Sequence, residues 1–141
     1  MTTAREIMHR DATCIGERDT LESAAKRMRE LDVGALPICG EDDRLHGIIT
    51  DRDIVLKCLA EGLDAKTMTA GELAQGKPFV VDADADVDQV LSVMEEHRIR
   101  RLPVLEEHRL VGMISEADLA SHLPEEAVGR FVEAICASGT P

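Results

Sequence analysis

The chain has 141 residues, 44% of them apolar but only 1% aromatic, and 28 acidic against 16 basic residues give it a net charge of −12. Such a charge repels nucleic acid and anionic membrane over most of the surface, so any phosphate site must be a local cationic pocket. With two Phe and neither Trp nor Tyr, the core must be built from Leu, Ile, Val, Met and Ala. No apolar run approaches the roughly 20 residues of a membrane span. The opening Met1-Thr2-Thr3-Ala4-Arg5-Glu6 has no apolar signal region. The expectation is a cytoplasmic protein without a signal peptide, whose thiols stay reduced.

Read in order, the chain repeats itself. Thr3-Ala4-Arg5-Glu6-Ile7 matches Thr69-Ala70-Gly71-Glu72-Leu73. Both read Thr-x-x-Glu, which predicts a capping box opening a short helix. A strand is predicted next, Ala12-Thr13-Cys14-Ile15 in one half and Pro78-Phe79-Val80-Val81 in the other. An acidic turn then leads to a helix capped by Thr20 or by Asp86. That helix lines up Leu21, Ala24, Ala25, Met28 and Leu31 in the first half, and Val87, Val90, Leu91, Met94 and His97 in the second. Spacing at i, i+3, i+4 and i+7 puts each set on one face.

A second strand follows, Leu36-Pro37-Ile38-Cys39 or Leu102-Pro103-Val104-Leu105, then a polar turn. Then comes the stretch around which each half is organised: Leu45-His46-Gly47-Ile48-Ile49-Thr50-Asp51-Arg52-Asp53 and Leu110-Val111-Gly112-Met113-Ile114-Ser115-Glu116-Ala117-Asp118. An apolar strand runs into Thr/Ser-x-x-Asp, which opens a helix. Residues 58–68 join the halves, with Gly62 as the predicted helix stop. After Pro124, Val128, Phe131, Val132 and Ile135 share one face of a last predicted helix over 125–136, and the final residues should fray.

The fold class is thus α/β in the α+β sense: two β-α-β-β-α repeats, over 1–66 and 67–124, and a C-terminal helix and tail over 125–141. A three-stranded sheet with both helices on one side leaves its other face apolar. Two copies with pseudo-twofold symmetry can bury those faces with the sheets facing each other, and each corner then lines a cleft.

The Glu6-Ile7-Met8 opening, the two Leu-Pro-Ile/Val strands and the two Gly-x-x-Thr/Ser-x-x-Asp corners resemble a tandem pair of cystathionine-β-synthase (CBS) domains, a Bateman module. The resemblance covers nearly the whole chain, and two motifs in register carry it more firmly than either alone. It implies a non-catalytic regulatory module that binds an adenosine nucleotide between its repeats and pairs into a homodimer.

For the nucleotide the candidate residues are Thr50, Arg52, Asp53, Arg101, Ser115 and Asp118. The hydroxyls are donors, the carboxylates accept from a ribose diol, and Arg52 with Arg100 or Arg101 supplies the cation for phosphate. Thr50-x-x-Asp53 and Ser115-x-x-Asp118 are equally good helix caps, and the two uses can coexist. The arginines read alternatively as a solvated strand start paired with nearby Glu. The second corner carries Glu116-Ala117 where the first has Arg52, so the halves are unequal.

Cys14 and Cys39 fall on strands that neighbour each other in a β-α-β unit. They are a disulfide candidate, or else two buried thiols. Cys58 and Cys136 read as ordinary core. His97 takes the stripe position of Leu31, and His122 matches Lys57. On the helical side that the family uses for dimer contacts, the two imidazoles could share a divalent metal, zinc being the candidate, with Glu72, Glu96, Glu125 or a partner chain completing it. Alternatively each His is a cation ending a helix. His9, His46 and His108 read as surface or turn residues.

No Ser-His-Asp set, activated thiol motif or phosphate loop points to an enzyme. Two functions remain: a stand-alone nucleotide sensor, or a metal- or disulfide-stabilised homodimeric stress-response interaction protein that binds no nucleotide. Either must act through a protein partner that the sequence does not identify.

Overall fold

The computed structural model describes residues 2–10, 13–42, 44–74 and 78–137. The elements are α1 (Ala4–Ile7), β1 (Ile15–Gly16), α2 (Leu21–Leu31), β2 (Ala35–Cys39), β3 (Leu45–Thr50), α3 (Asp51–Ile54), α4 (Ala70–Leu73), β4 (Val81–Asp82), α5 (Val87–His97), β5 (Arg101–Glu106), β6 (Arg109–Ser115), α6 (Glu116–His122) and α7 (Glu125–Cys136). Helix α3 runs on as a π-helical turn, Val55–Leu59, and Gly62 follows in the left-handed region at φ 72°. The mixed α/β class matches the expectation, and the last helix covers the predicted 125–136.

Each half builds one three-stranded sheet, ordered β1-β2-β3 and β4-β5-β6. The first pair in each is parallel and the second antiparallel, so the parallel pair needs a crossover helix, supplied by α2 and α5. The opening strands are shorter than predicted. Only Ile15–Gly16 and Val81–Asp82 pair, rather than 12–15 and 78–81; Ala12 lies outside the described residues. The central proline explains the limit. Ile15 opposes Ile38, so the next pair back would set Cys14 against Pro37, which has no N–H to offer. Val81 opposes Val104, and Val80 would meet Pro103 in the same way.

Capping explains where the crossover helices begin. The Thr20 hydroxyl accepts from the Ser23 N–H at 3.1 Å. Asp86 and Gln89 exchange side-chain bonds with each other's N–H at 2.9 and 3.1 Å. Both helices end in a left-handed residue, Asp32 (φ 56°) and Arg98 (φ 54°). The apolar stripe outruns the core there: Leu31 is 40% exposed, and Ala25 and His97 also face solvent, against the expectation for that face. Thr3 makes no side-chain cap on α1, contrary to the predicted box.

The chain divides into two compact units, Ala12–Pro78, and Met1–Asp11 with Phe79–Pro141. They do not coincide with the repeats 1–66 and 67–124, because the leading helices are exchanged. Helix α1 belongs to the unit of the second sheet: the Ala4 and Arg5 N–H groups donate to the Ala85 and Ala83 carbonyls at 2.8 and 3.0 Å. Helix α4 belongs to that of the first, where the Ala70 and Gly71 N–H groups reach the Asp19 and Glu17 carbonyls at 2.8 and 2.9 Å. The first unit buries Leu21, Ala24, Met28, Leu36, Ile38, Ile49 and Cys58. The second buries Ile7, Val90, Met94, Leu102, Val104, Ile114 and Leu119, with α7 docked on it through Phe131 and Ile135.

Candidate functional site

Both strand-to-helix corners form as hydroxyl–carboxylate pairs. In the first, the Thr50 hydroxyl accepts from the Asp53 N–H at 3.0 Å and the Asp53 carboxylate accepts from the Thr50 N–H at 3.1 Å. The other Asp53 oxygen lies 3.3 Å from Lys57 Nζ, one turn along the helix. Arg52 is exposed beside them, its N–H bonded to the Asp51 carboxylate at 2.8 Å.

The second corner repeats the pattern. Asp118 Oδ2 accepts from the Ser115 N–H at 2.8 Å and from its hydroxyl at 3.0 Å. It carries a third contact that sequence reasoning missed: His9 Nδ1 lies 2.6 Å from the same oxygen. His9 was read as a surface or turn residue. It is held here by a two-way backbone bridge with Met113, at 2.9 and 3.1 Å. The partners are 109 residues apart, so no local pattern could have revealed them.

Each corner glycine is covered by the residue that closes a leading helix. A Cβ on Gly112 would stand 2.9 Å from Met8 Cγ, and one on Gly47 would stand 2.8 Å from Ala74 Cβ. Close packing of chain on strand is what these two glycines permit.

Arg98, Arg100 and Arg101, which precede Leu102 in the chain, take separate places. Arg98 is the left-handed residue ending α5, and Arg100 pairs with Glu116 at 3.0 Å, as the strand-start reading has it. Arg101 opens β5 directly across from Ser115, whereas Ala35 stands across from Thr50. Backbone register thus brings Arg101 to the second corner and no counterpart to the first.

His46, also read as surface or turn, pairs with Glu17 through Nδ1 and has Asp42 3.8 Å from Nε2. These residues line an open groove of about 590 Å³ in the first unit, with Arg18 and Asp19. Thr50, Arg52 and Asp53 do not line it. His108 does lie in a turn, at φ 69° beside Glu107 at φ 50°.

Cys14 and Cys39 stand at disulfide distance, with Cα atoms 5.6 Å and sulfurs 2.15 Å apart. Cys58 is a buried free thiol as expected. Cys136, expected in the core, is exposed, because Phe131 and Ile135 take the buried face of α7.

His97 stacks on Phe79, ring centroids 3.6 Å apart at 11°, and ends α5. His122 Nδ1 lies 2.8 Å from the Asp118 carbonyl oxygen one turn back. Facing a carbonyl, Nδ1 is the donor there and Nε2 is the ring nitrogen left for another partner, the arrangement metal-binding histidines use. Among the described residues no group of three His, Cys, Asp or Glu gathers to hold a metal. Two imidazoles of one chain therefore fall short of a tetrahedral zinc set, and donors from a second copy would have to complete it.

Two copies of one β-α-β-β-α unit, each carrying a hydroxyl–carboxylate corner, define a tandem repeat protein. A CBS domain family model matches residues 4–59 and 70–125, and the chain belongs to that family as a tandem pair. It is 62% identical to Hypoxic response protein 1 of Mycobacterium tuberculosis over 136 residues, 96% of this chain and 95% of that one. The crystal structure of Hypoxic Response Protein I with two coordinated zinc ions is similar at TM-score 0.80 and 63% identity, over 87% of this chain and 100% of that one. A CBS domain pair solved in complex with 5′-methylthioadenosine and S-adenosyl-L-methionine is similar at TM-score 0.76 and 27% identity, over 86% of this chain and 94% of that one. The family is regulatory and not a known catalytic one. Among the described residues, no helix is long and apolar enough to cross a membrane.

Proposed function

We propose that the chain is a sensor module that takes an adenosine nucleotide at its strand-to-helix corners and acts as a homodimer. The observation carrying this reading is the duplicated corner. Thr50 with Asp53 and Ser115 with Asp118 hold a hydroxyl and a carboxylate in matching geometry, one for a phosphate or sugar oxygen and one for a ribose diol. Arg52 beside the first corner and Arg101 opposite Ser115 supply the cations. The CBS pair solved with two adenosine ligands supports the ligand class. Val55, Leu56 and Leu59 on the π-helical turn of the first unit and Leu63 just after it, 45–62% exposed, support a partner copy.

A thermal-shift titration with AMP, ADP, ATP and S-adenosylmethionine tests it. Saturable binding raises Tm with the logarithm of ligand over Kd. Asp53→Ala should abolish a large part of the shift; no shift with any of the four ligands refutes the sensor.

A second reading is a zinc- or disulfide-stabilised homodimer. The Nε2 nitrogen of His122, and the relative solved with two zinc ions, favour His97 and His122 as ligands shared with a partner chain. Elemental analysis of protein purified without a His tag tests it. Zinc near one ion per chain, lost on His97→Ala together with a fall in Tm on adding EDTA, is the expected outcome. Zinc-free protein of unchanged Tm in EDTA refutes it.

A further inference from the structure

We propose that His9 is a gate on the second corner, occupying the Asp118 carboxylate so that the corner admits a nucleoside only when the imidazole swings aside. The inference rests on the adenosine reading and adds a regulation that the corners alone do not imply. Asp118 Oδ2 already accepts from the Ser115 N–H and hydroxyl, and the His9 contact at 2.6 Å is the shortest of the three. With His9 in place three donors share the two lone pairs of Oδ2, so the carboxylate can meet a ribose diol only through Oδ1 and not with both oxygens. The ring contact is also a charge-assisted one, the strong kind of hydrogen bond.

The contact is built to open. The His9 side chain is 40% exposed, while that of Asp118 is 16% exposed. Its backbone is tied to Met113 on both sides of the bridge, so χ rotation of His9 releases the carboxylate without moving the chain. Met8 packs on Gly112 next to it and keeps the segment seated. The charged groups around the corner are Arg100 and Glu116, paired with each other, and Arg101 across from Ser115. The first corner has a different arrangement. Asp53 is 25% exposed, and its second oxygen meets Lys57 from its own helix. One chain therefore carries two corners of unequal readiness.

Calorimetric titration with AMP of the wild type, Asp53→Ala, His9→Ala and the Asp53→Ala/His9→Ala double variant tests the gate. Removing Asp53 leaves the second corner as the binding site. There, His9→Ala should tighten AMP binding about tenfold, the scale of releasing one hydrogen bond to a charged group. His9→Phe, which keeps ring volume but has no N–H, should give a gain in the same direction and stands in if the alanine variant folds poorly. Equal affinity of Asp53→Ala with and without His9 overturns the gate, while wild-type binding would leave the adenosine reading standing. No binding by any variant, wild type included, removes the adenosine reading and the gate with it.

Discussion

The His9 carbonyl oxygen lies where Gly112 leaves room for it: a Cβ at position 112 would stand 2.8 Å away, and closer still to the Met8 sulfur. A flexible methionine can yield, but a backbone carbonyl bonded to the Met113 N–H cannot move without breaking its bridge. Gly112→Ala should therefore destabilise the protein by about 1–3 kcal/mol, the usual scale of overpacking. Gly129→Ala makes the opposite control. Its Cβ meets nothing within 4 Å on the exposed face of α7, so alanine should add about 0.5–1 kcal/mol. Chemical denaturation of both variants measures the pair, and similar signs would refute the packing argument.

Arg5 ties α1 to its unit through Glu106, at 2.8 and 3.2 Å in a two-pronged contact, with Asp84 at 3.4 Å. The hydrogen bond from Arg5, and then its charge, hold the Glu106 carboxyl below its ordinary range. The same two carboxylates push the Arg5 guanidinium further up. A depressed carboxyl contributes stability above its unfolded pKa, about 4.3, and loses it as pH falls through the lower folded value. Arg5→Ala should thus have a lower Tm than wild type at neutral pH, and the gap should close as pH falls below 4. Both partners are solvent-accessible, so the gap should be small and should shrink with salt. A gap that persists in acid would place the effect in packing instead.

A bond between Cys14 and Cys39 would close a 25-residue interval. Loop entropy gives such a closure about 3 kcal/mol. Alkylation of unreduced, denatured protein should label two of the four cysteines, Cys58 and Cys136, and label all four after reduction. Reduction or Cys14→Ser should lower Tm by similar amounts. Four labelled thiols without reductant would show that the pair is open in solution.

Most of the fold was legible because it rests on local signals repeated twice. The i, i+3, i+4 stripes of α2 and α5, the Thr20 and Asp86 caps, and the Gly-x-x-Thr/Ser-x-x-Asp corners each need only a few consecutive residues. The opening strands were read too long. Their extent depends on a proline in the neighbouring strand, and a strand carries no record of what lies beside it. Leu31, His97 and Cys136 were misjudged for a related reason: periodicity gives the face of a helix, but not where the sheet beneath it ends.

The candidate sites divide in the same way. Thr50–Asp53 and Ser115–Asp118 are three residues apart and were visible as pairs. Arg101 was visible as a charge, but its place opposite Ser115 comes from strand register. His9 on Asp118, His46 on Glu17 and Phe79 on His97 were not visible at all. Each joins residues from different elements, and such contacts leave no spacing in the chain.

By itself, the sequence determined the repeat, the helix starts, the β-α-β-β-α order and the chemistry of the two corners, since short-range hydrogen bonding and apolar periodicity are written in adjacent residues. Tertiary structure alone decided that α1 and α4 are exchanged between units, and that Asp118 is taken by His9 while Asp53 is met by Lys57. Those outcomes depend on which distant surfaces bury together, a global balance of packing that no single stretch of chain encodes.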